Sequence, residues 1–300
     1  MTVPRQTFSL NDGRSFQSPR GSWKKAVIPG CIHADLLRHR LIPDPHFGEN
    51  EKKIGWVDQR GWTYRKSFDR PKRAKGAVRS ILVFEGLDTL AEIMLNGKKL
   101  GRADNMFRTW RFDVTRRLRD RNNLLLIRFQ SPTRHALAQE KKHGVFVQAN
   151  GFSPRQHLRK AACGYGWDWG IRLPSSGIWR DVLLECSHSK ETIRDVCLAT
   201  VSLRAGRTPR VEFRASLGAA NLKGLRWAVS GRCGRHRWTK QIPVRASETN
   251  AFFEIRGAKL WMVRGYGPQH LYDIRIDLLR GRDCVERREL RFGFRTVEIE

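Results

Sequence analysis

The sequence contains no apolar run long enough to cross a membrane. A spanning helix needs about 18 or more consecutive apolar residues, and charged residues, which make up 29% of the chain, interrupt each apolar stretch before that length. The first residues, Met1-Thr2-Val3-Pro4-Arg5-Gln6, also lack the charged segment and apolar core of a secretory signal. We therefore expect no membrane contact and a cytoplasmic location.

Closely spaced metal-binding residues are also lacking. The six cysteines are scattered and form no C-x-x-C pair, and the nine histidines show no H-x-x-x-H spacing. This pattern argues against a structural zinc site and against a disulfide framework. We expect reduced cysteines, no metal and no cofactor.

Acidic residues are scarce: 29 Asp and Glu stand against 58 Lys and Arg, a net charge of +29. Such an excess would favour nucleic-acid binding if it formed a stripe or a tail. Here the arginines are spread over nearly every strand-like segment, and no known nucleic-acid-binding motif accompanies them. We expect no specific nucleic-acid partner, only non-specific attraction to polyanions.

Alternation of apolar and polar residues dominates the chain. It is clear in 211–217, 225–229 and 272–278, and Asn96-Gly97 is a strong two-residue hairpin turn. Helical spacing is convincing only from Ile32 to Leu41, and 134–148 is a second, partly helical candidate. Many short strands with few helices predict an all-β chain of antiparallel sandwiches. A polar stretch after Cys186 suggests two domains, 1–187 and 188–300, and the second holds about seven strand-like segments.

Gly166-Trp167-Asp168-Trp169-Gly170 is the most informative stretch. An indole offers a flat apolar wall for the C–H face of a sugar ring, and an ionised aspartate accepts hydrogen bonds from hydroxyl groups. Flanking glycines allow a sharp turn and a close approach to a ligand. The alternative is a tight turn whose tryptophans fill a core.

Further blocks give the first domain a family resemblance. It resembles the sugar-binding domain of the β-mannosidases in glycoside hydrolase family 2, with the blocks in family order over about 170 residues. The matching blocks are 26–37, 42–45, Trp62-Thr63-Tyr64-Arg65, 84–89, Leu95-Asn96-Gly97, Asn105-Met106-Phe107, Phe112-Asp113-Val114, Arg159-Lys160, 166–170 and Gly177-Ile178-Trp179. The resemblance implies a jelly-roll, galactose-binding-like β-sandwich.

The second domain is similar to the immunoglobulin-like sandwich of the same family. Leu260-Trp261, Gly265-Tyr266-Gly267 and Leu271-Tyr272 follow the family's W-W-P-N-G-x-G…L-Y pattern, although Met262-Val263-Arg264 replaces its Trp-Pro-Asn. The segment 292–297 is similar to the strand that ends this domain before the catalytic barrel.

The resemblance also bears on catalysis. In the family two glutamates on a TIM barrel act as acid/base and nucleophile, and retaining enzymes hold such carboxyl groups about 5–5.5 Å apart. A barrel needs roughly 250 residues, and none follows Glu300 in this sequence. Asn50-Glu51 superficially matches the family's Asn-Glu pair but lies in a sugar-binding-domain block. We expect no catalytic residue here and no hydrolysis by this chain alone.

The resemblance implies roles for individual residues. Asp168 would accept hydroxyl hydrogen bonds from the terminal mannoside, and Trp167 would wall the pocket. Arg159 and Lys160 would either support the loop electrostatically or be solvated, and Trp169, a further candidate for loop support, is expected in the core. Two further groups are expected to be structural: Asp88 and Asn105 as hydrogen-bonded scaffold groups, and His33 as a packing or capping residue.

The sequence is compatible with three functional hypotheses. The first is the non-catalytic N-terminal portion of a β-mannosidase, either truncated or completed by a separate TIM-barrel chain, with mannosides or oligosaccharides as ligands. The second is a carbohydrate-binding module that acts without an enzyme partner. The third is a polyanion binder.

Overall fold

The computed structural model describes residues 5–18, 20–146, 151–204 and 208–298. The chain folds into two compact units. The N-terminal unit comprises Thr7–Lys75 and Ser80–Cys186, and the C-terminal unit comprises the chain from Ser187 onward together with Gly76–Arg79 and the first residues, up to Gln6.

The N-terminal unit is built from short antiparallel strands. Its strands are β1 Gln6–Ser9, β2 Ser15–Gln17, β3 Lys24–Lys25, β4 Trp62–Phe68, β5 Arg79–Phe84, β6 Leu87–Asp88, β7 Ala91–Leu95, β8 Lys98–Ala103, β9 Trp110–Asp113, β10 Asn123–Phe129, β11 Tyr165–Trp167, β12 Gly170–Arg172, β13 Gly177–Ile178 and β14 Val182–Ser187. They form a four-stranded sheet, β1-β14-β5-β9, a six-stranded sheet, β3-β2-β4-β10-β7-β8, and two ribbons, β11-β12 and β13-β6.

Its core comes from the inward-facing residues of these strands. Strands β5 and β10 carry fully apolar runs, and each of them has a neighbouring strand on both sides. The hairpin predicted at Asn96-Gly97 is confirmed: it joins β7 to β8, and both turn residues have positive φ, 52° and 78°. Such φ values suit Asn and Gly in a two-residue turn.

The helices are few and short. They are α1 Ile32–Arg38, α2 Asn50–Lys53 and α3 Pro132–His143, with 3-10 turns at Lys72–Ala74, Ser153–His157 and Ala162–Gly164. No helix in the described residues combines the length and apolarity needed to span a bilayer.

Helix α1 ends at Arg38, whereas the spacing of the apolar residues predicted a helix as far as Leu41. Arg40 adopts a left-handed φ of 55°, and the Leu41 amide donates to the Leu36 carbonyl at 2.9 Å, which closes the helix end. Leu41 thus lies beyond the helix, and both Leu37 and Leu41 are exposed. The second predicted helix is confirmed as α3, although its predicted last residues, 147–148, lie outside the described residues.

The C-terminal unit is a sandwich of two antiparallel sheets. Its strands are β15 Thr192–Arg204, β16 Thr208–Gly218, β17 Leu225–Cys233, β18 His236–Pro243, β19 Glu248–Glu254, β20 Tyr272–Arg280 and β21 Asp283–Phe292. One sheet has the order β15-β16-β19 and the other β18-β17-β20-β21. The predicted alternation is confirmed: Phe213, Trp227 and Ile276 are buried on the inner faces of their strands. An arginine stands directly beside each of them in the sequence. The all-β prediction holds for both units.

Candidate functional site

The candidate site is a hairpin in the N-terminal unit. Strands β11 and β12 pair with Tyr165 opposite Arg172 and Trp167 opposite Gly170, so Asp168 and Trp169 are the two turn residues. Gly166 has a φ of +98°, a backbone conformation that residues other than glycine rarely adopt. The sequence thus forms a narrow ribbon with a carboxylate and an indole at its tip.

All three central residues of the hairpin face outward. Trp167 is 40% exposed and Trp169 is 80% exposed, and Asp168 is also exposed. The two indole rings lie 6.5 Å apart at 48°. The prediction that Trp169 lies in the core is wrong, because a residue at the tip of a two-residue turn projects beyond both strands.

A buried arginine lies beside the first indole. The Arg155 guanidinium carbon is 5.4 Å from the centre of the Trp167 ring, and Arg155 itself is 7% exposed. A cation at this distance attracts the face of an aromatic ring. Arg155 therefore restricts the orientation of Trp167.

A second arginine ties strand β12 to the body of the unit. Arg172 Nη2 donates to Asp58 Oδ2 at 2.8 Å, and the Thr133 hydroxyl donates to the same oxygen. The Arg172 amide also donates to Glu51 Oε2 at 3.1 Å. The carboxylate of Glu51 thus serves as a brace for the hairpin.

Aromatic stacking supports strand β11. The Tyr165 ring stacks on Phe152 with centroids 4.9 Å apart, and its hydroxyl lies 3.4 Å from Thr133 Oγ1. Burial raises the pKa of Tyr165 to about 12, so the phenol is neutral at physiological pH. The base of the hairpin is therefore fixed by packing as well as by charge.

Lys160 forms a buried ion pair with Asp88. Its Nζ donates to both carboxylate oxygens at 2.5 Å and to the Ser175 carbonyl at 2.8 Å, and the Ser175 hydroxyl donates to Asp88 Oδ2 at 2.5 Å. The two charged side chains are 1% and 3% exposed. Burial lowers the pKa of Lys160, and the attraction of Asp88 opposes that effect.

These contacts decide between the two alternatives for the basic pair. Lys160 is not solvated, whereas Arg159 is exposed, and its side chain forms no hydrogen bond or ion pair within the described residues. The backbone of Arg159 is ordered by a bridge to Asn105 and accepts the Met106 amide at 3.0 Å. Lys160 is the charged structural member of the pair.

The scaffold predictions are confirmed. Asp88 is buried within the network of Lys160, and Asn105 Oδ1 accepts the Phe107 amide at 2.9 Å. His33 is a packing residue: it is 7% exposed, and its Nδ1 has no partner among the described residues. Burial lowers the pKa of His33 to about 4; the nearby charge of Asp58 opposes this effect, and that of Lys160 adds to it.

Sequence reasoning missed the supports that lie outside the motif. Asp58, Arg155 and Arg172 occupy ordinary positions in the sequence, and the Asp58–Arg172 contact joins residues 114 positions apart. A single sequence carries no signal for such a pair. The arrangement offers hydroxyl acceptors and an apolar wall on a stiff support, as the binding of a sugar ring requires. Among the described residues, no group of three or more His, Cys, Asp and Glu side chains is placed to hold a metal ion.

Family models match both parts of the chain. Residues 11–180 match the glycosyl hydrolase 2 galactose-binding domain-like family, and residues 222–295 match the glycosyl hydrolases family 2. These matches identify the two sandwiches as a galactose-binding-like jelly roll and the family's immunoglobulin-like domain.

Several relatives are β-mannosidases. The chain is 36% identical to β-mannosidase B of Thermothelomyces thermophilus over 91% of its length, and 29% identical to mouse β-mannosidase over 99%. These matches cover 32% and 35% of the two relatives, so the chain spans about a third of their length.

The solved structures agree. The crystal structure of the β-D-mannosidase from Dictyoglomus thermophilum has a TM-score of 0.88 and 34% identity, covering 98% of this chain and 36% of that one. A β-glucuronidase from Bifidobacterium dentium has a TM-score of 0.69 at 21% identity, a likeness of fold alone.

Proposed function

Because this chain belongs to glycoside hydrolase family 2, we propose that it forms the N-terminal part of a β-mannosidase and that its hairpin binds the terminal mannose. The complete enzyme would hydrolyse terminal, non-reducing β-D-mannose residues. The observation that carries the proposal is the exposed Trp167-Asp168-Trp169 tip on a braced support.

Asp168 and Trp167 have separate roles in this proposal. The carboxylate of Asp168 accepts hydrogen bonds from ring hydroxyls, and the Trp167 indole covers an apolar face of the sugar. Such contacts position the ring and strengthen as it distorts toward an oxocarbenium-like transition state. Trp169 is exposed beside them, and we propose it as a further sugar contact.

The supports act indirectly. Two ion pairs fix the position of the hairpin on the N-terminal unit: Lys160 with Asp88, and Arg172 with Asp58. A preorganised site loses less conformational entropy when it binds its ligand. These residues are positioning residues, and Arg159 contributes through its backbone.

The two catalytic carboxyl groups would be supplied by the remaining two thirds of the enzyme, on the same polypeptide or on a separate barrel chain. The domain bounds 1–187 and 188–300 remain our proposal for this part. Limited proteolysis should cut near residue 187 if they are correct.

Fractionation of the source cells tests the proposal. Activity on a nitrophenyl β-D-mannoside should co-purify with polypeptides that contain this sequence, and the recombinant 300-residue chain should have none. Hydrolysis by the recombinant chain, or separation of the activity from this sequence, would contradict the proposal.

The alternative function, a carbohydrate-binding module, is favoured by one observation: both indoles of the hairpin are exposed. It requires that the isolated chain bind mannobiose and that Trp167→Ala abolish the binding. Calorimetry at millimolar sugar tests it. Absence of heat would exclude this alternative and leave the enzymatic proposal intact.

A further inference from the structure

A cleft opens between two edge strands of the C-terminal unit. Strand β18 pairs only with β17, and β19 pairs only with β16, so each lies at the edge of its sheet within the described residues. The connection between the two strands crosses from one sheet to the other at 244–247. The cleft lies toward their other ends, at 236–240 and 252–256, and has a volume of about 720 Å³.

The lining of this cleft is strongly basic. Arg210, Arg237, Lys240 and Arg256 line it, and none of them forms an ion pair with a described residue. The carboxylate in the lining, that of Glu254, is 3.7 Å from Arg204 and is thus already paired. The cleft therefore gathers four cations that have no ion-pair partner among the described residues, and a bound anion would offset the repulsion between them.

Aromatic rings hold two of these cations in place. The Arg210 guanidinium carbon lies 5.1 Å from the centre of the Phe252 ring, and Lys240 Nζ lies 6.0 Å from that of Phe253. Cation–π attraction at such distances restricts flexible side chains. Each of these cations therefore lies over one face of its ring, which limits the positions that its charge can take.

The indole of Trp238 forms the floor between the sheets. It lies 5.8 Å from the Phe253 ring and packs so closely on Gly231 that a Cβ there would be 2.5 Å from it. Its Nε1–H has no acceptor among the described residues. The Nε1 atom is buried against Gly231, so the indole contributes its ring to the lining and offers no hydrogen bond to a ligand.

We propose that this cleft binds a compact ligand with several clustered oxyanions, namely sulfate or phosphate esters carried on a sugar. Guanidinium groups match the geometry of such anions with paired hydrogen bonds. The volume suits a small molecule. Single-stranded nucleic acid fits less well, since it stacks its bases on aromatic faces and Arg210 already occupies one face of Phe252.

Titration calorimetry of the 300-residue chain with sucrose octasulfate tests the proposal. Binding should be at least about a hundredfold tighter than that of inorganic sulfate, because several cations act on one molecule at once. Neutral sucrose should give no heat. Equal affinity for inorganic sulfate, or no binding of the octasulfate, would overturn the proposal.

Matched variants locate the site. Arg237→Gln with Arg256→Gln should weaken octasulfate binding by about tenfold or more, while the control, Arg245→Gln with Arg282→Gln, removes the same charge from exposed positions outside the lining and should change it little. If both double variants lost the same octasulfate affinity, the binding would depend on net charge alone, and the proposal would be overturned.

Two further measurements complete the test. Thermal unfolding of all variants confirms that the sandwich is intact. An oligothymidylate of matched charge should bind more weakly than the octasulfate, and its binding should be equally affected by both pairs of substitutions. Tighter binding of the oligonucleotide that depended on Arg237 and Arg256 would point to nucleic acid and contradict the assignment.

Discussion

Lys160 Nζ lies 2.5 Å from each carboxylate oxygen of Asp88, and the two side chains are 1% and 3% exposed. Two charges that are removed from water to this degree stabilise a fold only while both are present. This pair joins the chain just before the candidate hairpin to the scaffold strand β6.

Lys160→Met should therefore destabilise the protein by about 3–5 kcal/mol, since it leaves Asp88 buried and uncompensated. Urea unfolding would measure the loss. Lys142→Met, at an exposed position of α3, serves as the control and should have little effect. The double variant Lys160→Met with Asp88→Leu should lose less unfolding free energy than Lys160→Met alone. An equal or greater loss would show that the uncompensated Asp88 charge does not cause the destabilisation.

Asp58→Asn should loosen the hairpin, because it removes the charge that holds Arg172. A hydrogen bond to a charged group contributes about 1.5–3 kcal/mol, so exchange of the Arg172 amide hydrogen should accelerate by about tenfold or more. Hydrogen–deuterium exchange of the peptide covering 165–172 measures this. The exposed Asp104→Asn should leave the exchange rate unchanged.

Asp168→Ala should weaken the binding of a terminal mannoside by about 1.5–3 kcal/mol, the usual contribution of a charged acceptor. In the proposed complete β-mannosidase this should appear as a fall in kcat/KM for a nitrophenyl β-D-mannoside. Asp12→Ala, in an exposed turn, is the matched control. An unchanged kcat/KM for Asp168→Ala would remove this residue from the sugar site.

His33 should make stability depend on pH below neutrality. Burial lowers its pKa to about 4, whereas the unfolded chain binds the proton near pH 6.5. The unfolded state therefore holds more protons between these values, and the free energy of unfolding decreases as the pH falls through this window.

Between pH 7 and 4 the decrease due to His33 should be about 3 kcal/mol. Urea unfolding of the protein and of His33→Leu at both pH values isolates this contribution, which the variant should lack. The exposed His46→Leu should keep the full pH dependence. A His33→Leu variant with the same pH dependence as the parent would show that this imidazole does not titrate as described.

Local patterns in the sequence were sufficient for most of the fold. Alternation identified β16, β17 and β20, because one face of each strand packs into a core, and Asn96-Gly97 specified its own turn through positive φ. Helix α1 was overextended because its leucine spacing continued past the residue, Arg40, whose left-handed conformation closes the helix.

The candidate site was only partly predictable. The motif itself located the hairpin, since its residue types are unusual together. The pairing of Lys160 with Asp88 joins residues 72 positions apart, and no local pattern encodes such a contact. The prediction for Trp169 was wrong because it assumed an extended loop with this residue facing inward, whereas the register of β11 with β12 puts the residue in the turn.

The register of that ribbon has an evolutionary consequence. Because Asp168 and Trp169 lie beyond the last paired residues, replacing them removes little buried area and should cost the sandwich little folding free energy. Mutation can therefore change the proposed sugar contacts at these two positions, while the residues that support the hairpin stay constrained. Variation among natural homologues should be concentrated at these two positions wherever the preferred sugar has changed.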